Sequence, residues 1–202
     1  FSTPEDKVLH PTSIYALSKR DQEEQCLIVG RSYKIPTVAM RYFNIYGSRQ
    51  SLSNPYTGVA AIFSSRIKNN HSPLIYEDGL QTRDFIHVSD IVQANLLALT
   101  NPKADYQALN VGTGRPTSIL EVAKILIKLY KVKVSPQVVN KYRAGDIRHC
   151  YADISRIRQL GFSPRVSLEK GFPELIEWGK VVRAEDKTSR ATFELKSKGL
   201  TI

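Results

Sequence analysis

Two hydrophobic periodicities take turns along the chain, and their order predicts its architecture. Leu17, Cys26, Leu27 and Val29 can share one apolar side among charged positions, which predicts a helix over residues 14–31. Pro36 opens a short, mostly apolar run over 37–43 that reads as a buried parallel strand. Helical spacing returns over 58–68, a brief strand follows near 74–76, and Glu77-Asp78-Gly79 makes a turn. Ser89 is placed to cap a helix over 90–99, which Asn101-Pro102 ends. Ala108–Val111 is another short strand, and Gly112-Thr113-Gly114 turns it toward the best-signalled helix of the chain. There Ser118 and Glu121 have capping-box spacing, and Ile119, Val122, Leu126 and Leu129 form the apolar stripe. Residues 137–139 read as a strand, 155–160 as a helix stopped at Gly161, and 167–179 as a last helix. The charged tail over 180–202 reads as a peripheral helix or a frayed end. Strands alternating with helices predict an α/β fold.

The chain has 202 residues, 42% hydrophobic and 24% charged, which suits one or two packed domains. Its longest apolar run, Val59-Ala60-Ala61-Ile62-Phe63, is far shorter than the roughly 20 residues a membrane helix needs. The polar stretch from Ser2 to Asp6 has no signal-peptide core. Cys26 and Cys150 have no metal-ligand spacing, so no metal is expected and a reducing cytoplasm is the default. The net charge of +10 could serve nucleic acid, anionic lipid or a phosphorylated small molecule. The cations are spread without a block of five or six, and no aromatic cluster offers base stacking. A solvated basic surface with a few phosphate ligands is therefore favoured over a nucleic-acid module.

The most informative short motif is Tyr15-Ala16-Leu17-Ser18-Lys19. Four residues apart on a helix, the phenol and the ammonium share one face. A nearby cation favours the phenolate form of a tyrosine and makes it a better base. The lysine can also hydrogen-bond the ribose of a bound cofactor. Such a pair suits removal of a hydroxyl proton while a hydride departs. Taken alone, the spacing also occurs by chance on helix surfaces.

The flanking residues narrow the choice. Pro11-Thr12-Ser13-Ile14-Tyr15-Ala16-Leu17-Ser18-Lys19 resembles the catalytic segment of the extended short-chain dehydrogenase/reductase family. Arg41-Tyr42-Phe43-Asn44-Ile45-Tyr46-Gly47 is similar to its next strand end, and the stretch from Asp78 through Thr82-Arg83-Asp84-Phe85-Ile86-His87-Val88 to Asp90 to a third motif. Asn110-Val111-Gly112-Thr113-Gly114 and Arg143-Ala144-Gly145-Asp146 complete the series in order. Within the family, the stretch from Gln50 through Pro55-Tyr56-Thr57 to Val59 most resembles dTDP-L-rhamnose 4-epimerases. UDP-glucose 4-epimerases and dTDP-glucose 4,6-dehydratases are broader neighbours.

The resemblance implies the remainder of a Rossmann-like NAD-binding sheet plus a smaller C-terminal substrate-binding α/β domain. Residues 1–50 would belong to the first and 51–180 mainly to the second, with some segments returning to the Rossmann sheet and 181–202 peripheral. It implies Tyr15 as the base and Lys19 as its cofactor-anchored partner, with Phe43 touching NAD near the nicotinamide. Asn44 would meet the sugar or diphosphate, Tyr76 would lie near the nucleobase, and Arg83 and Arg143 would hold the diphosphate. Asp146 would orient Arg143 or accept from a sugar hydroxyl. The substrate would be a nucleotide-diphosphate sugar, and the protein would pair into a homodimer through the Tyr-Lys helix.

Plainer roles remain open for each of these residues. Phe43 could be core, Asn44 a turn residue, Arg83 and Asp84 a surface ion pair. Arg143 and Asp146 could serve only the turn at Gly145. His87 reads as structural, and Gly112-Thr113-Gly114 as a turn. No G-x-G-x-x-G or G-x-x-G-x-x-G occurs, and only 14 residues precede Tyr15, too few for the family's catalytic Ser or Thr. The expectation is therefore a C-terminal part whose cofactor-binding half lies elsewhere, inactive or nearly so by itself. The implied activity of the full-length enzyme is transient C4 oxidation and 4-epimerisation. The rivals are 4,6-dehydration, or a non-catalytic basic nucleic-acid-binding or oligomerisation module.

Overall fold

A computed structural model describes residues 1–54, 58–142, 146–182, 186 and 188–199. Along the chain the elements run α1 (Ile14–Tyr33), β1 (Ala39–Tyr42), β2 (Asn44–Tyr46), α2 (Val59–Lys68), β3 (Leu74–Ile75), β4 (Thr82–Arg83), β5 (Phe85–His87) and α3 (Val88–Thr100). A short 3-10 turn over Pro102–Ala104 leads to β6 (Ala108–Val111), β7 (Thr117–Ser118), α4 (Ile119–Tyr130), β8 (Gln137–Val138), β9 (His149–Cys150), α5 (Ser155–Gln159), α6 (Leu168–Val181) and α7 (Thr188–Ser197). The expected helices and longer strands are present, within a few residues of their predicted ends. The two-residue strands β4, β7 and β9 and the three-residue β2 and β5 carried no periodic signal and were not anticipated.

Pairing is mostly parallel. β1 lies beside β6 with Arg41 opposite Asn110, and β2 beside β5 with Asn44 opposite Phe85. β3 pairs with β8, while β4 runs antiparallel to β7 and parallel to β9. The N-terminal segment joins through a bridge between Thr3 and Ala152.

Side-chain alternation on β1 shows how its two faces are used. Met40 packs into one core with Ile86, Ile91, Leu109, Val111 and Ile157, and the Tyr42 hydroxyl donates to Asn95 of α3 at 2.9 Å. Arg41 between them points to the other face, toward α1. A second core joins α2, α4 and α6 around Phe63, Ile67, Leu126, Phe172 and Leu175. The Ser118 hydroxyl accepts from the Glu121 amide at 3.1 Å, so the predicted cap of α4 forms.

Two expectations need correction. Ser89 does not cap α3; the helix starts two residues earlier with His87 as N-cap, its ring nitrogen accepting from the Ser89 amide at 3.3 Å. The supposed apolar side of α1 is not a buried side, since Leu17 and Val29 are exposed and only Gly30 is fully buried. The stripe that faces inward is half-buried Ala16, Arg20, Glu23 and Leu27 and buried Gly30, at helical spacing and partly charged. Among the described residues no helix is long and apolar enough to cross a membrane, and no group of His, Cys, Asp or Glu could hold a metal ion.

Candidate functional site

The site is set by how α1 meets β1. The Ser13 hydroxyl accepts from the Ala16 amide at 3.1 Å and starts the helix directly before Tyr15. At the other end Lys34 takes a left-handed conformation, and the Ile35 amide closes on the Gly30 carbonyl at 2.8 Å. Gly30 is required there, because a Cβ would overlap the Thr37 hydroxyl. Further along, Glu23 meets Arg41 in a two-pronged ion pair, with Nε to Oε2 at 2.7 Å and Nη2 to Oε1 at 2.6 Å.

These two contacts fix direction and level. Going back along the helix from Gly30 to Glu23 corresponds to going forward along the strand from Thr37 to Arg41. The same course continued four residues, about 6 Å along the helix, reaches Lys19. Two residues along the strand, about 6.6 Å, reach Phe43. On that spacing Lys19 falls at about the level of Phe43, just past the carboxyl end of β1, the end of a parallel strand at which ligands of open α/β sheets bind.

Tyr15 and Lys19 lie on the flank of the stripe that faces the sheet, and both are exposed. The Lys19 ammonium sits 5.8 Å from the Tyr15 ring centroid and donates to Gln22 Oε1 at 3.1 Å. Phe43 is half-buried against the core that holds Ile86 and Leu109. Asn44 is no turn residue; it opens β2, and its amide donates to the Asp84 carbonyl at 2.8 Å. The strand pairing so joins the end of β1 to the segment that carries Arg83.

Arg83 and Asp84 do not form a surface ion pair. Asp84 is fully buried, with Oδ1 accepting from the Thr113 amide at 2.8 Å and the Thr113 hydroxyl at 2.6 Å. Its Oδ2 accepts from the Gly114 amide at 2.9 Å and the Ala152 amide at 3.1 Å. The turn reading of Gly112-Thr113-Gly114 holds, and Asp84 is what fills that turn. Arg83 donates to the carbonyls of Thr82 and Arg148 at 2.9 and 3.0 Å, and among the described residues it pairs with no carboxylate. Arg148 differs, being held by Glu77 and Asp78, each at 2.7 Å. The hydrogen bond from Arg148 lowers the Asp78 carboxyl below its usual range. Among the described residues Arg83 thus has no carboxylate partner, whereas Arg148 has two.

Tyr76 is half-buried directly after β3, and its carbonyl accepts from Gln81 at 2.8 Å. Asp146 is exposed two residues before Arg148. Arg143, and Pro55-Tyr56-Thr57 of the subfamily stretch, lie outside the described residues. His87 is buried, with Nδ1 2.8 Å from the Ser89 hydroxyl and Nε2 3.3 Å from Glu174, as befits a structural histidine. Sequence reasoning missed Glu23, Arg41, Glu5 and Asn110. The signal available for the first two was a Glu at helical spacing from Tyr15 and Lys19 and a charged residue inside an apolar strand.

A family model described as the NAD dependent epimerase/dehydratase family matches residues 2–112. The chain belongs to this family. It is 37% identical over 169 residues to a dTDP-L-rhamnose 4-epimerase of Burkholderia thailandensis, covering 83% of this chain and 46% of that protein. The structure of a UDP-glucose 4-epimerase with UDP-glucose from Thermotoga maritima superposes with a TM-score of 0.81 and 35% identity, covering 89% of this chain and 57% of that one. A UDP-glucuronic acid 4-epimerase from Bacillus cereus, solved with UDP-glucuronic acid and NAD, gives 0.80 and 28%, with coverage of 89% and 56%. The chain thus spans about half the length of the epimerases it matches. The region that the family model matches includes the Tyr-Lys helix, β1 to β6 and Asp84, and ends at the start of the turn that Asp84 fills.

Proposed function

We propose that the full-length enzyme is an NAD-dependent nucleotide-sugar 4-epimerase that oxidises C4 of a dTDP- or UDP-sugar transiently. The observation that carries this reading is the exposed Tyr15–Lys19 pair on the helix whose Glu23 grips Arg41, two residues before Phe43, on a chain whose Arg83 pairs with no carboxylate among the described residues. An ammonium next to a phenol fits the nicotinamide-ribose end of the cofactor, since it offers donors to ribose hydroxyls. When bound, NAD supplies the acceptor for the hydride of the sugar C4–H.

The Tyr15 phenol oxygen takes the proton of the C4 hydroxyl and returns it when the hydroxyl re-forms on the opposite face. Lys19 keeps a positive charge beside that oxygen and so stabilises the phenolate between the two transfers. Phe43 closes the apolar side of the site against water. Asn44 hydrogen-bonds the sugar or diphosphate, and Tyr76 flanks the nucleobase. Arg83 and Arg143 hold the diphosphate as planar donor forks, with Asp146 orienting the second. The pivot needed for epimerisation is then the diphosphate link, fixed at one end while the sugar turns over. Residues 1–50 with the segments of their sheet form the cofactor side, 51–180 mainly the substrate side. The apolar side chains α1 leaves in solvent, Ile14 and Ile28 among them, support a homodimer built on that helix.

The test uses the full-length product of the reading frame, incubated separately with dTDP-L-rhamnose and UDP-glucose, with products identified by NMR. A C4 epimer from either is expected. Tyr15→Phe is expected to bind NAD normally and lose most turnover, and wild-type rates in that variant remove the assignment of the base. Arg83→Ala should raise KM roughly ten- to hundredfold, because a charge-assisted contact contributes roughly 1.5–3 kcal/mol. An unchanged KM moves the diphosphate elsewhere.

A further inference from the structure

On a helix, Lys19 has two neighbours four residues away, Tyr15 on one side and Glu23 on the other. A carboxylate attracts an ammonium far more strongly than a phenol does, so an unengaged Glu23 would draw Lys19 away from Tyr15. The structure avoids this competition. Both Glu23 oxygens are occupied by Arg41, at 2.6 and 2.7 Å, and the Glu23 side chain is largely shielded from water. Lys19 forms no ion pair among the described residues; it leans over Tyr15 and bonds the neutral Gln22.

Arg41 is itself held. Its remaining prong, Nη1, donates to the Glu5 carbonyl at 3.0 Å. The Glu5 carboxylate accepts from the amide of Asn110, the ladder partner of Arg41, at 2.9 Å, and lies 3.5 Å from Arg156. The two-pronged bond to Glu23 raises the Arg41 pKa above its ordinary value, against the opposing effect of burial. A strand position facing α1, two residues before Phe43, is thus committed to one carboxylate of the helix.

We propose that Arg41 is a positioning residue for the Tyr15–Lys19 pair: by engaging both oxygens of Glu23 it keeps that carboxylate off Lys19 and leaves the ammonium to Tyr15. This rests on the reading of Tyr15 and Lys19 as the catalytic pair. A merely structural ion pair would make Arg41 and Glu23 each important in the same way. Insulation makes them unequal, because removing Arg41 exposes the competitor, whereas removing the charge of Glu23 abolishes the competition.

The test reads the ε-methylene signal of Lys19 by 13C–1H NMR in the 202-residue chain, assigned with Lys19→Arg. Packing over the Tyr15 ring shifts that signal upfield, and Tyr15→Leu defines the unshifted position. Wild type and Glu23→Gln are expected to show the upfield signal, and Arg41→Met to lose it. The double variant Arg41→Met/Glu23→Gln is expected to regain it. Retention of the upfield signal in Arg41→Met overturns the proposal, as does a folded double variant that fails to regain it. Should Arg41→Met not fold, Arg41→Lys carries the same comparison, since one ammonium cannot occupy both oxygens in the same geometry. The signal should then be reduced, and restored by adding Glu23→Gln. If full-length Tyr15→Phe keeps wild-type turnover while these signals behave as stated, the catalytic reading fails and the insulation stands.

Discussion

Asp84→Asn is the substitution whose outcome the structure defines most sharply. The change is nearly isosteric, yet it replaces one acceptor by a donor in a site that presents four donors: the amides of Thr113, Gly114 and Ala152 and the Thr113 hydroxyl. The best orientation puts the new NH2 where Oδ1 stood, because the Thr113 hydroxyl can rotate and accept. The Thr113 amide is then orphaned, at about 1–3 kcal/mol for a buried unsatisfied group. The bonds from Gly114 and Ala152 survive but lose charge assistance, about 1 kcal/mol each. Relief of the cost of burying a carboxylate offsets part of this. The net expectation is about 2–4 kcal/mol, a large share of the roughly 5–15 kcal/mol that holds a domain folded. Equilibrium urea unfolding should show a lowered midpoint with unchanged slope, and heating a Tm lower by roughly 4–16 °C. A loss below about 0.5 kcal/mol, the scale of an exposed ion pair, would refute the anchoring role and restore the surface pairing with Arg83.

Gly171→Ala should destabilise by about 1–3 kcal/mol through overpacking. Its Cβ would meet the Tyr46 hydroxyl and come within 2.9 Å of His87 Cδ2. Tyr46→Phe in the same chain should relieve part of the loss, and a double-mutant cycle without coupling would disprove the clash. The attachment of α7 should weaken in acid. Burial raises the Asp186 carboxyl, but hydrogen bonds from Thr188 and His71 and the charge of Arg66 outweigh this and leave it lowered. A depressed carboxyl contributes stability above its unfolded pKa, near ~3.9, and loses it as pH falls through the lower folded value. Amide exchange in α7 should therefore rise selectively below about pH 4, and Asp186→Asn should show the faster exchange already at neutral pH.

The sequence made legible what periodicity and capping encode, and little of what the shortest strands and charged anchors encode. α4 was readable because Ser118, Glu121 and a wide apolar stripe agree with one another. β4, β7 and β9, with two residues each, are too short for any alternation to appear. They exist because Thr82-Arg83 is held between its two neighbours. The α1 stripe was misread because the face turned to the sheet carries Arg20 and Glu23, whose burial rests on specific partners that a hydropathy pattern cannot reveal. The role of Asp84 was not legible because its neighbour in sequence is an arginine, while its partners lie 29 to 68 residues away. The family motifs brought Tyr15, Lys19, Phe43 and Arg83 into view, yet they say nothing of how far Lys19 stands from its rival carboxylate.

The charge balance of the site follows from where its carboxylates are spent. Glu5, Asp84 and Asp90 are buried, and each accepts from main-chain amides: Asn110 for Glu5, Thr113, Gly114 and Ala152 for Asp84, Arg165 and Val166 for Asp90. Strands of two to four residues satisfy few of their own neighbours' amides, and these side chains supply the missing acceptors. A carboxylate committed to buried amides is not available to an adjacent guanidinium, which is why Arg83 forms no ion pair with the aspartate next to it. Glu23 is the opposite case, a carboxylate given wholly to one arginine, while Lys19 forms no ion pair among the described residues. Both arrangements leave a basic side chain without a carboxylate partner among the described residues, which is what the proposed anion and ribose contacts require. Replacing Asp84 by a residue that frees those amides should thus harm anion binding and folding together, whereas losing Arg83 should harm binding alone.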